Sequence, residues 1–303
     1  MIEVSVYNET SELQVVVLGI PTGFGGLPDL EQCYDPKSRE NIMNGTFPLE
    51  KDITLEMNEF FKILQNYGVQ VFRPKNIKGL NQIFSRDISF VVGNKLVVPN
   101  IIEDRKKETQ AITHIFQDVS SEIIKMPDDT RMEGGDVILF NEYIFLGYSE
   151  YDDFTKYNTA RTNKNGIDFI KSHFLDKKVR SFELNKSDKN PRENSLHLDC
   201  CFQPIGRDMA IIYKGGFKNP KDIDFLVSLF SEEKIIFITK EEMYHMNANI
   251  FSISENIIVS EKGFTRLNNN LKDKGFIVEE INYAEISKME GLLRCSTIPL
   301  KRK

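Results

Sequence analysis

The sequence predicts an α/β fold in which five copies of one hairpin, helix and strand unit form a ring. Four β-hairpin patterns follow one another along the chain, and each is preceded by a short segment carrying a carboxylate, a histidine or a side-chain amide. Equivalent positions of successive copies lie 46 to 66 residues apart. Such a repeat is typical of stacked or circular arrays of one supersecondary unit. Reactive residues at the same point of each copy would then meet.

The four complete copies share one order of elements. In the first, the hairpin pattern ISFVVGNKLVV at 88–98 turns at Gly93 and Asn94, a dipeptide that accepts the positive φ angles of a tight turn. An amphipathic pattern after residue 101 predicts a helix, and a strand near 122–125 ends the unit. The later copies have turns at 141–142, 206–208 and 254–256, helices over 166–174, from Pro220 and over 266–274, and final strands KVRSFEL, KIIFIT and FIVEEI.

The fifth copy is split between the two ends of the chain. Residues 294–300 supply one strand, and the N-terminal strand LQVVVLGI, a helix over 49–67 and the strand VQVFRP supply the rest. Joining these segments would close the ring and remove exposed sheet edges. We therefore expect one catalytic domain over 1–303. The segment 20–48 is rich in Gly, Pro and Asn and is predicted to be a long ordered loop of the kind that covers a site.

Charge and composition exclude several classes of partner. The net charge is −6 and is scattered, so no basic stripe favours nucleic acid. No apolar run approaches the roughly 18 residues of a membrane span, and the acidic N-terminus does not resemble a signal peptide. The four cysteines form no C-x-x-C pair, which favours a reduced, cytoplasmic protein. We expect a small-molecule partner, and whether the chain forms a homo-oligomer is left open.

Cys295 is the best candidate for a nucleophile. A thiolate needs a lowered pKa or an adjacent base, and His197 can serve as that base. The two residues occupy equivalent positions in different copies of the unit, which favours a shared site. The alternatives are an inert packing cysteine and a structural histidine bonded to a backbone carbonyl.

Four carboxylates should converge at the same end of the predicted ring. They are Asp87, Glu133, Asp136 and Asp199. Ionised acids repel one another unless a cation lies among them. Zinc is not expected, because the cluster has one histidine and no paired-ligand spacing; calcium or magnesium would leave the cysteine unexplained. A guanidinium explains both, since carboxylates can hold its edges and present its central carbon to a thiolate. For Asp136, after Gly134 and Gly135, capping a turn is the alternative.

Four motifs in this order resemble the guanidino-group-modifying enzymes, a superfamily that includes arginine deiminases, dimethylarginine hydrolases and arginine amidinotransferases. They are F-S-R-D at 84–87, E-G-G-D at 133–136, H-L-D at 197–199 and R-C-S-T at 294–297, and they extend over nearly the whole chain. The resemblance implies a five-bladed pseudosymmetric α/β propeller, the pentein fold, whose last blade is closed by the N- and C-terminal segments. It implies an active site on the propeller axis and no metal or other cofactor.

The resemblance also implies roles for individual residues. Cys295 would attack the guanidino carbon, His197 would protonate the leaving amine and later activate water, and Glu133 would orient the imidazole. Asp87 and Asp199 would bind the guanidinium. Substrate contacts are further expected from Arg161 in A-R-T-N, Asp136, Arg294 and Asn249, with Asn247 as a neighbour.

The subfamily is left open between several reactions. Water would resolve the amidino-thioether on Cys295 in a hydrolase, whereas an amine would resolve it in a transferase. Asp199 favours an unsubstituted guanidinium, and H-L-D-C-C-F-Q-P also resembles arginine dihydrolases, which remove both terminal nitrogens. The leading prediction is a hydrolase acting on arginine or an arginine-like compound. The alternatives are an amidinotransferase and, less favoured, a non-catalytic binding module of the same fold.

Overall fold

The computed structural model describes residues 1–303 and contains five separate three-stranded sheets, none of them closed on itself. In every sheet the middle strand pairs antiparallel with one neighbour and parallel with the other. The strands are Leu13–Leu18 (β1), Gln70–Phe72 (β2), Phe90–Val92 (β3), Lys95–Val98 (β4), Glu122–Lys125 (β5), Val137–Phe140 (β6), Tyr143–Tyr148 (β7), Lys178–Glu183 (β8), Phe202–Ile205 (β9), Met209–Ile212 (β10), Ile235–Phe237 (β11), Phe251–Ser252 (β12), Ile257–Glu261 (β13), Ile277–Ile281 (β14) and Thr297–Arg302 (β15).

Eight α-helices connect the strands, and several of them supply the crossovers that parallel neighbours require. They are Pro36–Met43 (α1), Glu50–Asn66 (α2), Thr113–Gln117 (α3), Lys164–His173 (α4), Pro220–Phe230 (α5), Lys240–Tyr244 (α6), Thr265–Asp273 (α7) and Ala284–Ser287 (α8). The hairpin turns use Gly93, Asn141 and Gly206, which have φ angles of 59°, 52° and 58°. Glycine and asparagine tolerate this left-handed region best. The predicted α/β order of hairpin, helix and strand is therefore confirmed.

The fifth sheet joins the two ends of the chain, as predicted. Its order is β15-β1-β2, with Leu18 opposite Thr297 in the antiparallel pair and Val17 beside Phe72 in the parallel pair. Because β15 begins two residues after Cys295, this pairing determines where the candidate nucleophile lies. None of the helices combines the length and the apolar character needed to cross a membrane.

Helix α2 anchors this sheet and the neighbouring one. Its buried residues Ile53, Met57, Phe60 and Leu64 recur at helical spacing and form one apolar face. The Phe60 ring packs edge-on against Tyr283 and Phe251, with centroids 5.8 Å and 5.7 Å away. The same apolar core extends to Cys200, Cys201 and Cys295, so the candidate site rests on a packed base.

Two segments differ from the sequence prediction. The segment 20–48 is not wholly a loop, since it contains a 3-10 helix at Leu30–Gln32 and the helix α1. Asp35 begins α1 by accepting a hydrogen bond from Ser38 N at 2.7 Å. The helix predicted after the first hairpin is mainly a 3-10 helix, Glu103–Ile112, and only α3 is α-helical. In both segments the charged residues prevent the sequence from showing which side chains are buried.

Candidate active site

Short 3-10 turns position the predicted residues immediately before the hairpins. Asp87 lies in Ser85–Ile88, and Glu133 precedes Gly134–Asp136. His197 precedes the turn Leu198–Cys200, which contains Asp199. Asn249 comes just before β12, and Cys295 just before β15. All of these side chains are buried. Equivalent points of the five units thus carry the reactive groups.

The two glycines of E-G-G-D permit these turns to approach one another. A Cβ atom on Gly134 would lie 2.1 Å from the carbonyl oxygen of Arg86. A Cβ atom on Gly135 would lie 2.7 Å from the His197 ring and 2.9 Å from Asp87 Oδ1. Gly135 N also donates a hydrogen bond to Asp87 Oδ1 at 3.1 Å. A larger residue in place of Gly135 would displace the His197 imidazole or the Asp87 carboxylate.

His197 lies between two carboxylates. Its Nε2 is 2.8 Å from Glu133 Oε2, and its Nδ1 is 3.6 Å from Asp87 Oδ1. Burial opposes the charged imidazolium, but the charge of Asp87 and the hydrogen bond to Glu133 outweigh it and raise the pKa of His197. Burial likewise opposes ionisation of Glu133, yet Arg161 and His197 hold its pKa well below the usual range. The pair is suited to proton transfer, with Glu133 as the permanent anion.

The thiol of Cys295 contacts two polar side chains. Its Sγ lies 3.1 Å from Asn249 Nδ2 and 3.7 Å from Asp199 Oδ2. Burial raises the pKa of Cys295 well above its usual value, and the charges of Asp199 and Asp87 raise it further. These shifts favour the thiol over the thiolate, and a cation bound between the carboxylates would favour the thiolate.

Asp199 is held by Arg294, whose Nη1 donates to Asp199 Oδ2 at 2.7 Å. Burial raises the pKa of Asp199, although the charge of Arg294 opposes the shift. The other donors of Arg294 bind Glu9 and the carbonyl oxygen of Val137. Arg294 is thus committed to protein acceptors, a geometry that favours a supporting role over contact with a substrate.

Arg161 and Asp136 also lie in or beside the cluster. Arg161 Nη1 donates to Glu133 Oε2 at 2.9 Å, and its Nη2 donates to the carbonyl oxygen of Tyr34 at 3.0 Å. Both oxygens of Asp136 are occupied, by the Thr162 hydroxyl at 2.6 Å and by Leu198 N at 2.9 Å. Asp136 therefore joins two turns of the site, as its alternative role as a turn cap implies.

Asn247 is buried next to this region, and its Oδ1 has no hydrogen-bond partner. Unlike Asn249, it makes no contact with the sulfur. The two asparagines of M-N-A-N are therefore not equivalent, although the sequence pattern treats them alike.

Sequence reasoning missed Arg105, whose guanidinium already binds the predicted cation site. Its Nη1 donates to Asp87 Oδ2 at 2.5 Å and lies 3.7 Å from Glu133 Oε2. Nη2 and Nε bind Glu108, at 2.8 Å and 3.0 Å for the shortest contacts. The run E-D-R-K-K-E has the composition of an exposed helical face. Only the spacing of three residues between Arg105 and Glu108 indicates an ion pair.

The ligand atoms of Asp87, Glu133 and His197 lie within 4.8 Å of one another, a separation that would suit a metal ion. Arg105 and Arg161 already supply two cationic groups to the two carboxylates. A divalent ion there would meet both guanidinium charges at short range, so the donor set does not fit a metal.

A cavity of about 580 Å³ lies next to the cluster, between the segment 24–35 and the 3-10 helix Glu103–Ile112. Glu108 and Tyr34, which line it, bind Arg105 and Arg161 respectively. The cavity contains no lysine or arginine, and its acidic lining residues are Asp29, Glu31, Asp35, Asp104 and Glu108. The negative charge of these side chains would attract a cationic molecule to the cavity.

Comparisons with known proteins agree with the geometry. A model of the family described as N,N dimethylarginine dimethylhydrolase, eukaryotic, matches residues 44–302. The uncharacterized protein YkgA of Bacillus subtilis (strain 168) is 30% identical over 241 residues, covering 79% of this chain and 77% of that protein. The arginine deiminase of Streptococcus agalactiae serotype V (strain ATCC BAA-611 / 2603 V/R) is 24% identical over 260 residues, covering 74% of this chain but only 61% of the deiminase.

Solved structures share the fold. The N-terminal domain of ArgZ bound to product, from an arginine dihydrolase of the ornithine-ammonia cycle in Cyanobacteria, superimposes with a TM-score of 0.78 at 19% identity. The match covers 96% of this chain and 98% of that domain. With residues 44–302 matched by the family model, this chain belongs to the N,N dimethylarginine dimethylhydrolase family, eukaryotic type, within the superfamily of guanidino-group-modifying enzymes.

Proposed function

We propose that the protein is a cysteine-dependent hydrolase that cleaves a C–N bond in the guanidinium group of arginine or an arginine-like compound. One observation carries the proposal. The Cys295 thiol lies against Asp199 and Asn249, and its pKa responds to the charge of Asp87, which also faces His197. A nucleophile, a proton-transfer group and two cation acceptors thus share one buried cluster, and membership of the family supports the reaction class.

The first half of the reaction follows from the charges. A substrate guanidinium bound by Asp87 and Asp199 offsets the two negative charges that keep Cys295 protonated, so the thiol loses its proton to solvent. The thiolate forms a C–S bond to the guanidino carbon. The C–N bond to the leaving nitrogen then breaks, and His197 donates the proton that this amine needs. An amidino-thioether remains on Cys295.

The second half reverses the proton flow. His197, now neutral, accepts a proton from water, and the resulting oxygen nucleophile attacks the same carbon. The C–S bond breaks, the new hydroxyl gives its proton to the departing sulfur, and the carbon keeps the oxygen as a carbonyl. Glu133 stabilises the imidazolium in both halves through its contact with His197 Nε2. No external oxidant, metal or other cofactor is required by these steps.

To bind a substrate, Arg105 and Arg161 must each share or give up a partner that they hold within the protein. Arg105 occupies Asp87 Oδ2, so a substrate cation must replace it there or bind alongside it. We retain Arg161 as the proposed partner of a substrate carboxylate. It could exchange its bond to the Tyr34 carbonyl oxygen for such a group and still hold Glu133. Asp136 and Arg294 are proposed to act indirectly, through Leu198 and Asp199.

We also propose that residues 1–303 form one catalytic domain, with the five sheets arranged as the blades of a propeller around the site. The convergence of residues from successive units supports this arrangement. All four cysteines are free, which suits a reducing compartment such as the cytoplasm.

The test is product analysis with a panel of substrates. The protein is incubated with arginine and with N-methylated arginines, with and without glycine as an amine acceptor, and products are resolved by mass spectrometry. Citrulline with ammonia or a methylamine, or ornithine with ammonia, formed without an acceptor supports the hydrolase. A product formed only with the acceptor indicates an amidinotransferase. Absence of turnover over the whole panel, equal to that of Cys295→Ser, would favour a binding module and overturn the proposal.

A further inference from the structure

Glu9 lies in the N-terminal segment before β1, outside the four motifs, and is buried against Arg294. Its Oε2 accepts from Arg294 Nε at 3.2 Å, and its Oε1 accepts from Arg294 Nη2 at 3.0 Å. Two parallel hydrogen bonds of this kind fix the plane of a guanidinium as well as its distance. Glu9 Oε1 also accepts from Leu139 N at 3.4 Å, so the carboxylate is itself tied to β6.

The fixed plane determines where the remaining donors of Arg294 point. Nη2 makes a second bond, to the carbonyl oxygen of Val137 in β6, at 2.7 Å. Because the guanidinium is planar, holding the Nε and Nη2 edge sets the direction of Nη1. Nη1 then donates to Asp199 Oδ2 at 2.7 Å.

The oxygen that Arg294 holds is the one next to the sulfur. Asp199 Oδ2 lies 3.7 Å from Cys295 Sγ. The chain of contacts therefore runs from Glu9 through Arg294 and Asp199 to Cys295. It joins a residue near the start of the sequence to one near its end, and every side chain in it is buried.

We propose that Glu9 is a positioning residue of the active site: by holding the plane of Arg294 it keeps Asp199 Oδ2 beside the Cys295 thiol. Glu9 acts through Arg294 and does not touch the substrate. The inference rests on the proposed roles of Cys295 and Asp199, and it adds a residue that none of the four motifs contains.

Glu9 also sets the balance of charge around the thiol. The guanidinium of Arg294 faces two carboxylates, Glu9 and Asp199. The positive charge of Arg294 favours the Cys295 thiolate, and Glu9 offsets part of that charge. Removing the charge of Glu9 leaves Arg294 less compensated, so the thiolate becomes easier to form. The pH at which Cys295 becomes reactive should therefore fall in a Glu9→Gln variant.

The experiment measures alkylation of Cys295 by iodoacetamide as a function of pH, with the modified peptide quantified by mass spectrometry. For Glu9→Gln we expect a lower midpoint pH and, with a substrate found by product analysis, a kcat about ten- to a hundredfold lower, with less change in KM. Glu261→Gln is the matched control, because Glu261 is also buried but accepts its hydrogen bond from Gly263 N, far along the chain. Its midpoint should equal that of the wild-type protein.

A midpoint in Glu9→Gln that is unchanged or higher overturns the proposal. If Glu9→Gln does not fold, Glu9→Asp is measured instead: its shorter side chain moves the carboxylate away from Arg294, so a smaller downward shift is expected, and no shift overturns the proposal. Alkylation requires no substrate. A protein without hydrolase activity that still shows the shift would contradict the proposed function alone, and an active hydrolase without the shift would contradict the role of Glu9 alone.

Discussion

The side-chain amide of Asn249 contacts Cys295 at two points. Its Nδ2 lies 3.1 Å from the sulfur, and its Oδ1 accepts a hydrogen bond from Cys295 N at 3.0 Å. The amide therefore orients the backbone of the candidate nucleophile and provides a donor for the thiolate. The sequence predicts a substrate contact for Asn249, and the geometry adds a contact with the sulfur of Cys295.

Asn249→Ala should raise the pH at which Cys295 is alkylated and slow turnover about tenfold or more. The reason is the loss of a hydrogen bond to a charged group, worth about 1.5–3 kcal/mol. Alkylation as a function of pH and steady-state kinetics check this. Asn282→Ala serves as the control, since Asn282 is exposed and binds Glu59. Unchanged reactivity of Cys295 in Asn249→Ala would mean that the amide has only a structural role.

Asp87→Asn should lower the pKa of both His197 and Cys295, because the charge of Asp87 raises each of them. His197 would then lose its proton at a lower pH than in the wild-type protein. Turnover should nevertheless fall at least about tenfold, since a charge-assisted contact to the substrate is lost. NMR titration of the imidazole nitrogens, assigned with a His197→Asn variant, measures the first effect. A His197 titration that does not move would contradict the arrangement of these two side chains.

Gly135→Ala should impair catalysis much more than folding. The added methyl group would lie 2.7 Å from the His197 ring and 2.9 Å from Asp87 Oδ1. One of the two must move, and a displacement of this size costs about a hundredfold in rate. The strain should lower the free energy of unfolding by about 1–3 kcal/mol. Kinetics and urea unfolding measure the two effects, and a variant with normal kcat would show that the site tolerates the displacement.

The pH dependence of stability should contain a contribution from Glu56 in α2. Burial raises the pKa of Glu56 to about 7, against hydrogen bonds from Glu285 N and Ile286 N that lower it. The folded protein thus retains a proton that the unfolded chain releases near 4.5. This contribution is fully present below about pH 4.5 and is lost as the pH rises through about 7.

Glu56→Gln should therefore lose less stability than the wild-type protein on going from about pH 5 to about pH 8. Urea unfolding at a series of pH values measures the difference. Parallel stability profiles for the two proteins would show that Glu56 does not titrate in this range.

The sequence by itself determined the five units and most of the residues of the candidate site. Tight turns at Gly93 and Gly206 are local, since a positive φ angle depends on the residue at that position. The apolar runs on either side of each hairpin turn are local too. Motifs of a few residues around Asp87, Glu133, His197 and Cys295 indicate a family, and that family is confirmed.

Only the tertiary structure decided which partner each charged group has. Arg105 lies on Asp87 and Arg294 is shared between Glu9 and Asp199, whereas the sequence shows these arginines only as members of charged or polar runs. Glu9 and Arg294 are 285 residues apart, and no local pattern connects them. The cause is physical: a buried ion needs a counter-ion and hydrogen-bond partners in space, and only the tertiary fold determines which ones are within reach.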